Sequence, residues 1–219
     1  TAYDFTQLKD KWVRENMTVV GLRLKLDLQG TPTIEMEDVK SKKNIATTRT
    51  FDSNYTDYEK IAERVAGFAV SCAEKLRAQK SCCNSIMVFV HTNGFREDME
   101  QYSKNIVIKL PFATNSSIEL VGFAKQGLER IFKKGYAYKK AGVIVMDFSP
   151  EDNQQLKLFE NRNVKHISLM KVVDKLNKKY GQQKIRLAAQ DMGRVWKMKQ
   201  ENLSPRYTTD INDIITVKS

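Results

Sequence analysis

"YKKAGVIVMDFSPE", Tyr138–Glu151, is the stretch whose reading decides the fold. Its core, Lys140–Phe148, is a short hydrophobic run that reads as a strand. Alternation puts Lys140, Gly142 and Ile144 on one side and Lys139, Ala141 and Val143 on the other, without saying which side is covered. Immediately upstream, "SSIELVGFAKQGLERIFKKG", Ser116–Gly135, has helical spacing, with Ser116 and Glu119 in capping-box register and Gly135 as the expected C′ stop. "KNIVIKL", Lys104–Leu110, and "SIMVFVHT", Ser85–Thr92, read as two strands joined by a polar loop holding Gly94. Before them lies "TDYEKIAERVAGFAVSCAEKLRAQK", Thr56–Lys80, an amphipathic helix with Ile61, Val65, Phe68, Cys72 and Leu76 on one stripe and a Thr56–Glu59 box at its start. The β-branched run "NIATTRTF", Asn44–Phe51, opens the series.

The order is βαββαβ, which predicts an α+β fold: a four-stranded sheet with both helices on one face and the other face free. A basic, open sheet face is a surface that can lie along a phosphate backbone. On the amino-terminal side, "TAYDFTQLKDKWVRENMTVVGLRLKLDLQG", Thr1–Gly30, has helical spacing at Leu8, Trp12, Val13, Val20, Leu24 and Leu28, with Gly21 and Gly30 as punctuation. It has no sheet of its own and reads as the tail of a domain that begins upstream. Residues 31–43 read as a polar linker. Beyond Pro150, residues 151–165 are polar apart from "QQLKLFE", Gln154–Glu160. Then "HISLMKVVDKLNKKYG", His166–Gly181, reads as a basic helix and "QKIRLAAQ", Gln183–Gln190, as strand-like; residues 203–219 look irregular.

The chain of 219 residues carries a formal charge of +11, unevenly spread. From Asn161 onward there are thirteen Lys/Arg against five Asp/Glu, and a second cluster is "FKKGYAYKKAG", Phe132–Gly142. Clustered cations attract polyanions through counterion release while self-repulsion opposes compaction, so the charge points to nucleic acid. No apolar run approaches the roughly 20 residues a bilayer needs, and no signal pattern opens the chain, so no membrane partner and a cytoplasmic location are expected. Cys72, Cys82 and Cys83 suit reduced thiols better than a disulfide framework, and His91 and His166 complete no zinc pattern.

Three separated pieces carry a family resemblance. "KKNIATTRTF" resembles the opening strand, and "YKKAGVIVMDFSPE" the closing strand, of the little-finger domain of Y-family translesion DNA polymerases. "LSPRYTTDINDIITVK" is similar to the carboxyl end of the UmuC type, the catalytic subunit of bacterial DNA polymerase V. The resemblance implies a partial thumb at residues 1–30, a linker at 31–43, a little finger at 44–150, a clamp-binding linker at 151–165 and a small α/β UmuC-type extension at 166–219. It implies an error-prone polymerase whose Mg2+ ions sit on a palm domain to which nothing here corresponds. Nucleotidyl transfer needs carboxylates positioned to hold two metal ions. The acidic pairs Glu37–Asp38, Glu97–Asp98 and Glu151–Asp152 all fall in loops or linkers. No catalysis and no cofactor are therefore expected of this chain alone.

Within that resemblance, Arg49 and Thr50 match the place where the first strand meets template phosphates, and Arg suits it through its planar fork. Lys139 and Lys140 match the paired basic residues of the closing strand. Gly142 either lets a phosphate approach the backbone or makes room for packing. Lys109, Lys133 and Lys134 are weaker candidates, supported by charge alone; Tyr136 and Tyr138 read as structural. Contacts of this kind position duplex primer–template DNA without reading sequence. Gln155, Leu156, Leu158 and Phe159 resemble the bacterial sliding-clamp peptide, whose few apolar anchors carry most of the affinity. Processed UmuD and a RecA filament are the partners the resemblance implies for the extension. Two other functions compete: a free-standing RNA-binding module, which would need exposed aromatics that "SKNIVIKL" does not offer, and a protein-interaction domain whose charge serves solubility.

Overall fold

The computed structural model describes residues 1–33, 41–152, 163, 165–181, 183–191 and 202–215, in two compact units, Thr1–Ser41 and Lys42–Ser219. The first unit holds α1 (Ala2–Thr6) and α2 (Asp10–Leu28). Thr1 caps α1 in a capping box with Asp4. Gly21 does not punctuate α2: the helix runs through it, and the break falls at Thr18, whose φ of 60° is unusual for a β-branched residue. Gly21 is needed for space instead, because a Cβ there would lie 2.4 Å from Met17 Cβ. Val13 is buried, whereas Trp12, Val20, Leu24 and Leu28 stay exposed.

The second unit contains β1 (Ile45–Tyr55), α3 (Tyr58–Ala78), β2 (Ser81–Thr92), β3 (Ser103–Thr114), α4 (Ser117–Ile131), β4 (Tyr138–Pro150) and α5 (Lys165–Tyr180). The strands form one antiparallel sheet in the order β1-β4-β2-β3, the expected α+β architecture. β1 and β2, joined through α3, are parallel to each other and separated by β4. β3 and β4, joined through α4, are likewise separated by β2.

Both helices cover the same face. The whole predicted stripe of α3 is buried, and Leu120, Ala124 and Leu128 of α4 meet the same cluster. Opposite them stand Ile86, Val88 and Val90 of β2 with Ala141, Val143 and Val145 of β4. The side of β4 that carries Lys140, Gly142 and Ile144 is therefore the open one.

Caps and ends differ in detail from the sequence expectation. Asp57, not Thr56, caps α3 by accepting from Glu59 N. At α4 the Ser116 hydroxyl makes no cap bond. Thr114 instead fixes the entry to the helix: its Oγ1 accepts from Ser116 N at 3.0 Å and donates to Glu119. α4 ends at Ile131, so Gly135, with φ of 100°, shapes the following turn rather than stopping the helix. Residues 183–190 are turns, not a strand. Asn177 Oδ1 accepts from Ile185 N while its Nδ2 donates to Ile185 O, and Gln190 Oε1 accepts from Leu187 N, so side chains take the groups a ladder would use. Among the described residues the extension holds α5 and a 3-10 turn, Ile211–Asp213, and no helix is long and apolar enough to cross a membrane.

Candidate nucleic-acid interface

The strand register writes the open face as four rungs, because directly paired residues share a face. Thr50, Lys140, His91 and Ser103 form the first. Thr48, Gly142, Phe89 and Asn105 form the second; Ala46, Ile144, Met87 and Val107 the third. Met146, Ser85 and Lys109 form the fourth. Strand spacing makes this surface about 15 Å wide and about 20 Å long between the end rungs. Lys140 and Lys109 stand exposed at opposite ends, with neutral rungs between them.

The middle is closely packed. A Cβ on Gly142 would lie 2.6 Å from the Phe89 ring and 2.5 Å from Thr48 Cγ2. Gly142 thus makes room for Phe89; its backbone is roofed by that ring and does not offer the phosphate approach considered from sequence. Phe89 is a central-strand aromatic on the open face, which the sequence reading missed though the alternation of "SIMVFVHT" carries it. At 8% exposure, and edge-on to His91 with centroids 5.0 Å apart, it presents no ring for a base to stack on. His91, also missed, pairs through Nδ1 with Ser103 Oγ at 2.9 Å. Burial, and then the charge of Lys140, hold its pKa below the ordinary value. Val107, 55% exposed, is the most open large apolar side chain of the face.

The other sequence candidates do not all join this surface. Thr50 does, across from Lys140. Arg49, one residue earlier, pairs with Ala141 and so faces the helix side at the β1 edge, its Nη1 donating to Thr48 O at 3.3 Å. Lys139 sits at the irregularity between Tyr138 and Lys140 and donates to Asp52 O at 3.1 Å. Lys133 and Lys134 lie exposed in the α4–β4 turn, with the Lys133 amine 5.6 Å from the centre of the Tyr102 ring. Tyr138 closes that turn: its hydroxyl donates to Lys133 O and accepts from Lys133 N. Gln155, Leu156, Leu158 and Phe159 lie outside the described residues.

No three His, Cys, Asp or Glu side chains among the described residues gather into a metal-holding group. Asp98 is held instead by Arg96, whose hydrogen bonds lower its pKa to about 2. Burial raises the Cys72 and Cys83 thiols, so these sulfurs are core groups.

Residues 42–158 match the impB/mucB/samB family C-terminal domain. The chain belongs to this family. A domain of unknown function matches residues 168–217. Among curated relatives, the chain is 35% identical over 221 residues to protein UmuC of Salmonella typhimurium, covering 100% of this chain and 52% of that protein. It is 34% identical over 217 residues to protein ImpB of Salmonella typhimurium, and 32% identical over 217 residues to protein MucB of Escherichia coli, each match covering 98% of this chain and 51% of the relative. The chain thus spans about half the length of the curated relatives it matches, and the matched 42–158 segment contains the whole four-stranded sheet.

Proposed function

We propose that this chain is the DNA-gripping and clamp-tethering region of an error-prone translesion polymerase. The observation that carries the reading is the open sheet face of a family member, neutral in its middle with Lys140 and Lys109 at its ends. Those lysines are separated by about 20 Å along the strands, enough to meet phosphates on both sides of a major groove about 12 Å wide. Thr50 adds a hydroxyl donor beside Lys140. Lysine meets phosphate as a point charge, and on the rungs between them Asn105 is the one exposed amide, so the grip is mainly on backbone rather than base. Such a grip suits a polymerase that must accept damaged templates. On this reading the Mg2+ ions belong to palm carboxylates outside this stretch.

Duplex binding tests it. Lys109→Ala with Lys140→Ala should weaken binding alike for unrelated duplexes and reduce the slope of log affinity against log salt by about 1.8, for two lost phosphate contacts. Wild-type binding by that variant, or loss for one sequence only, would refute the assignment. The clamp peptide makes a separate arm: Leu158→Ala with Phe159→Ala should abolish capture by a bacterial sliding clamp and leave duplex affinity intact. Processed UmuD and a RecA filament are the partners proposed for residues 166–219, and pull-downs in which deletion of these residues changes nothing would remove them.

A further inference from the structure

Arg49 has no place on the open face, and its actual surroundings suggest another role. It lines a cleft of about 1030 Å³ between the β1 edge, α3 and α5. Lys75 of α3 and Lys171 and Lys178 of α5 line the same cleft. All four cations are exposed, and among the described residues none has a carboxylate partner. Arg49 and Lys75 reach only neutral oxygens, Thr48 O and Thr47 Oγ1. The acids of the cleft do not cancel them. Asp174 is committed to Arg77 by two hydrogen bonds of 2.6 and 2.7 Å, which among the described residues leaves Glu74, beside Lys75, and Glu151 against the four cations.

We propose that this cleft holds the phosphodiester backbone of single-stranded DNA, and that the region matched by the domain of unknown function supplies one of its walls through Lys171 and Lys178. Its four cations, none held in an ion pair among the described residues, call for an anion. Among the described residues no aromatic side chain lines it, so recognition there rests on the backbone. Its volume equals a cube about 10 Å on edge, smaller than the roughly 12 Å major groove of a duplex, so a flexible strand enters and a duplex does not. The path is continuous with the open face: along β1, Thr48 and Thr50 point to one side and Arg49 to the other, so a strand turning around this edge passes from duplex seat to cleft. The inference rests on the duplex-gripping reading only in taking DNA as the partner.

The test is fluorescence anisotropy of the full chain with labelled oligo(dT) and, separately, a labelled blunt duplex. Lys171→Gln with Lys178→Gln should lower oligo(dT) affinity about tenfold at ~0.1 M salt and its log–log salt slope by about 1.4, for two contacts on a single strand. Duplex affinity should stay within about twofold. Arg49→Gln with Lys75→Gln, on the opposite wall, should reproduce the loss, so misfolding of one variant cannot decide the outcome. Unchanged oligo(dT) binding in both, an equal fall for duplex, or displacement of the oligonucleotide by inorganic phosphate at matched phosphate concentration would overturn the proposal. The Lys109→Ala, Lys140→Ala variant should show the opposite pattern, and its failure to lose duplex would count against the open-face reading alone.

Discussion

Gly142 and Phe89 show how one missing side chain sets the surface of the sheet. The ring lies where a Cβ would be, so the central rungs close into a smooth layer instead of a groove. Gly142→Ala should cost about 1–3 kcal/mol through overpacking, read as a lower urea midpoint with an unchanged m-value. A neutral or stabilising result would mean that Phe89 has free space to move. Sequence left phosphate approach and packing open at Gly142 because the deciding contact comes from another strand. Arg49 is different, since its side was legible: adjacent residues of a strand face opposite sides, so Arg49 and Thr50 meet different surfaces. Lys109 and Lys140 were found through charge and family pattern, while Phe89 and His91 carry neither signal.

At the scale of elements, α5 is fixed to the helical layer by side chains. Arg77, 9% exposed, donates to both Asp174 oxygens and, through Nη1, to Asn115 O and Ser117 Oγ. His166 Nδ1 lies 2.9 Å from Glu119 Oε1, and Met170 is 2% exposed. Asp174→Ala strands a buried guanidinium, a kind of loss that costs about 3–5 kcal/mol when both partners are buried and less here, where Asp174 is 34% exposed. The expected result is faster amide exchange across Lys165–Tyr180 while α3 and the sheet keep their protection. Exchange that accelerates uniformly would show that α5 is part of the main cooperative unit. The helices and strands of the sheet domain were readable because each buries one stripe or face with a clear period. The turns at 183–190 were not, because "QKIRLAAQ" has strand composition while side chains, the amides of Asn177 and Gln190 and the guanidinium of Arg186, divert its backbone.

Across the second unit the two sides of one sheet carry different work. The helix side buries the core and, at the β1 edge, gathers cations from three elements; the open side holds a neutral platform bounded by two lysines. An overall charge of +11 says that polyanions are attracted but cannot say where, since faces are assigned by register and not by composition. The most direct measurement of the central claim is methyl NMR during titration with a blunt duplex of arbitrary sequence. Methyl resonances of Met87, Val107, Ile144 and Met146, all on the open face, should shift progressively, while those of Val65, Leu120 and Leu128 beneath the helices should hold still. Shifts confined to the helix-side methyls, with Met87, Val107, Ile144 and Met146 unmoved at saturation, would contradict it.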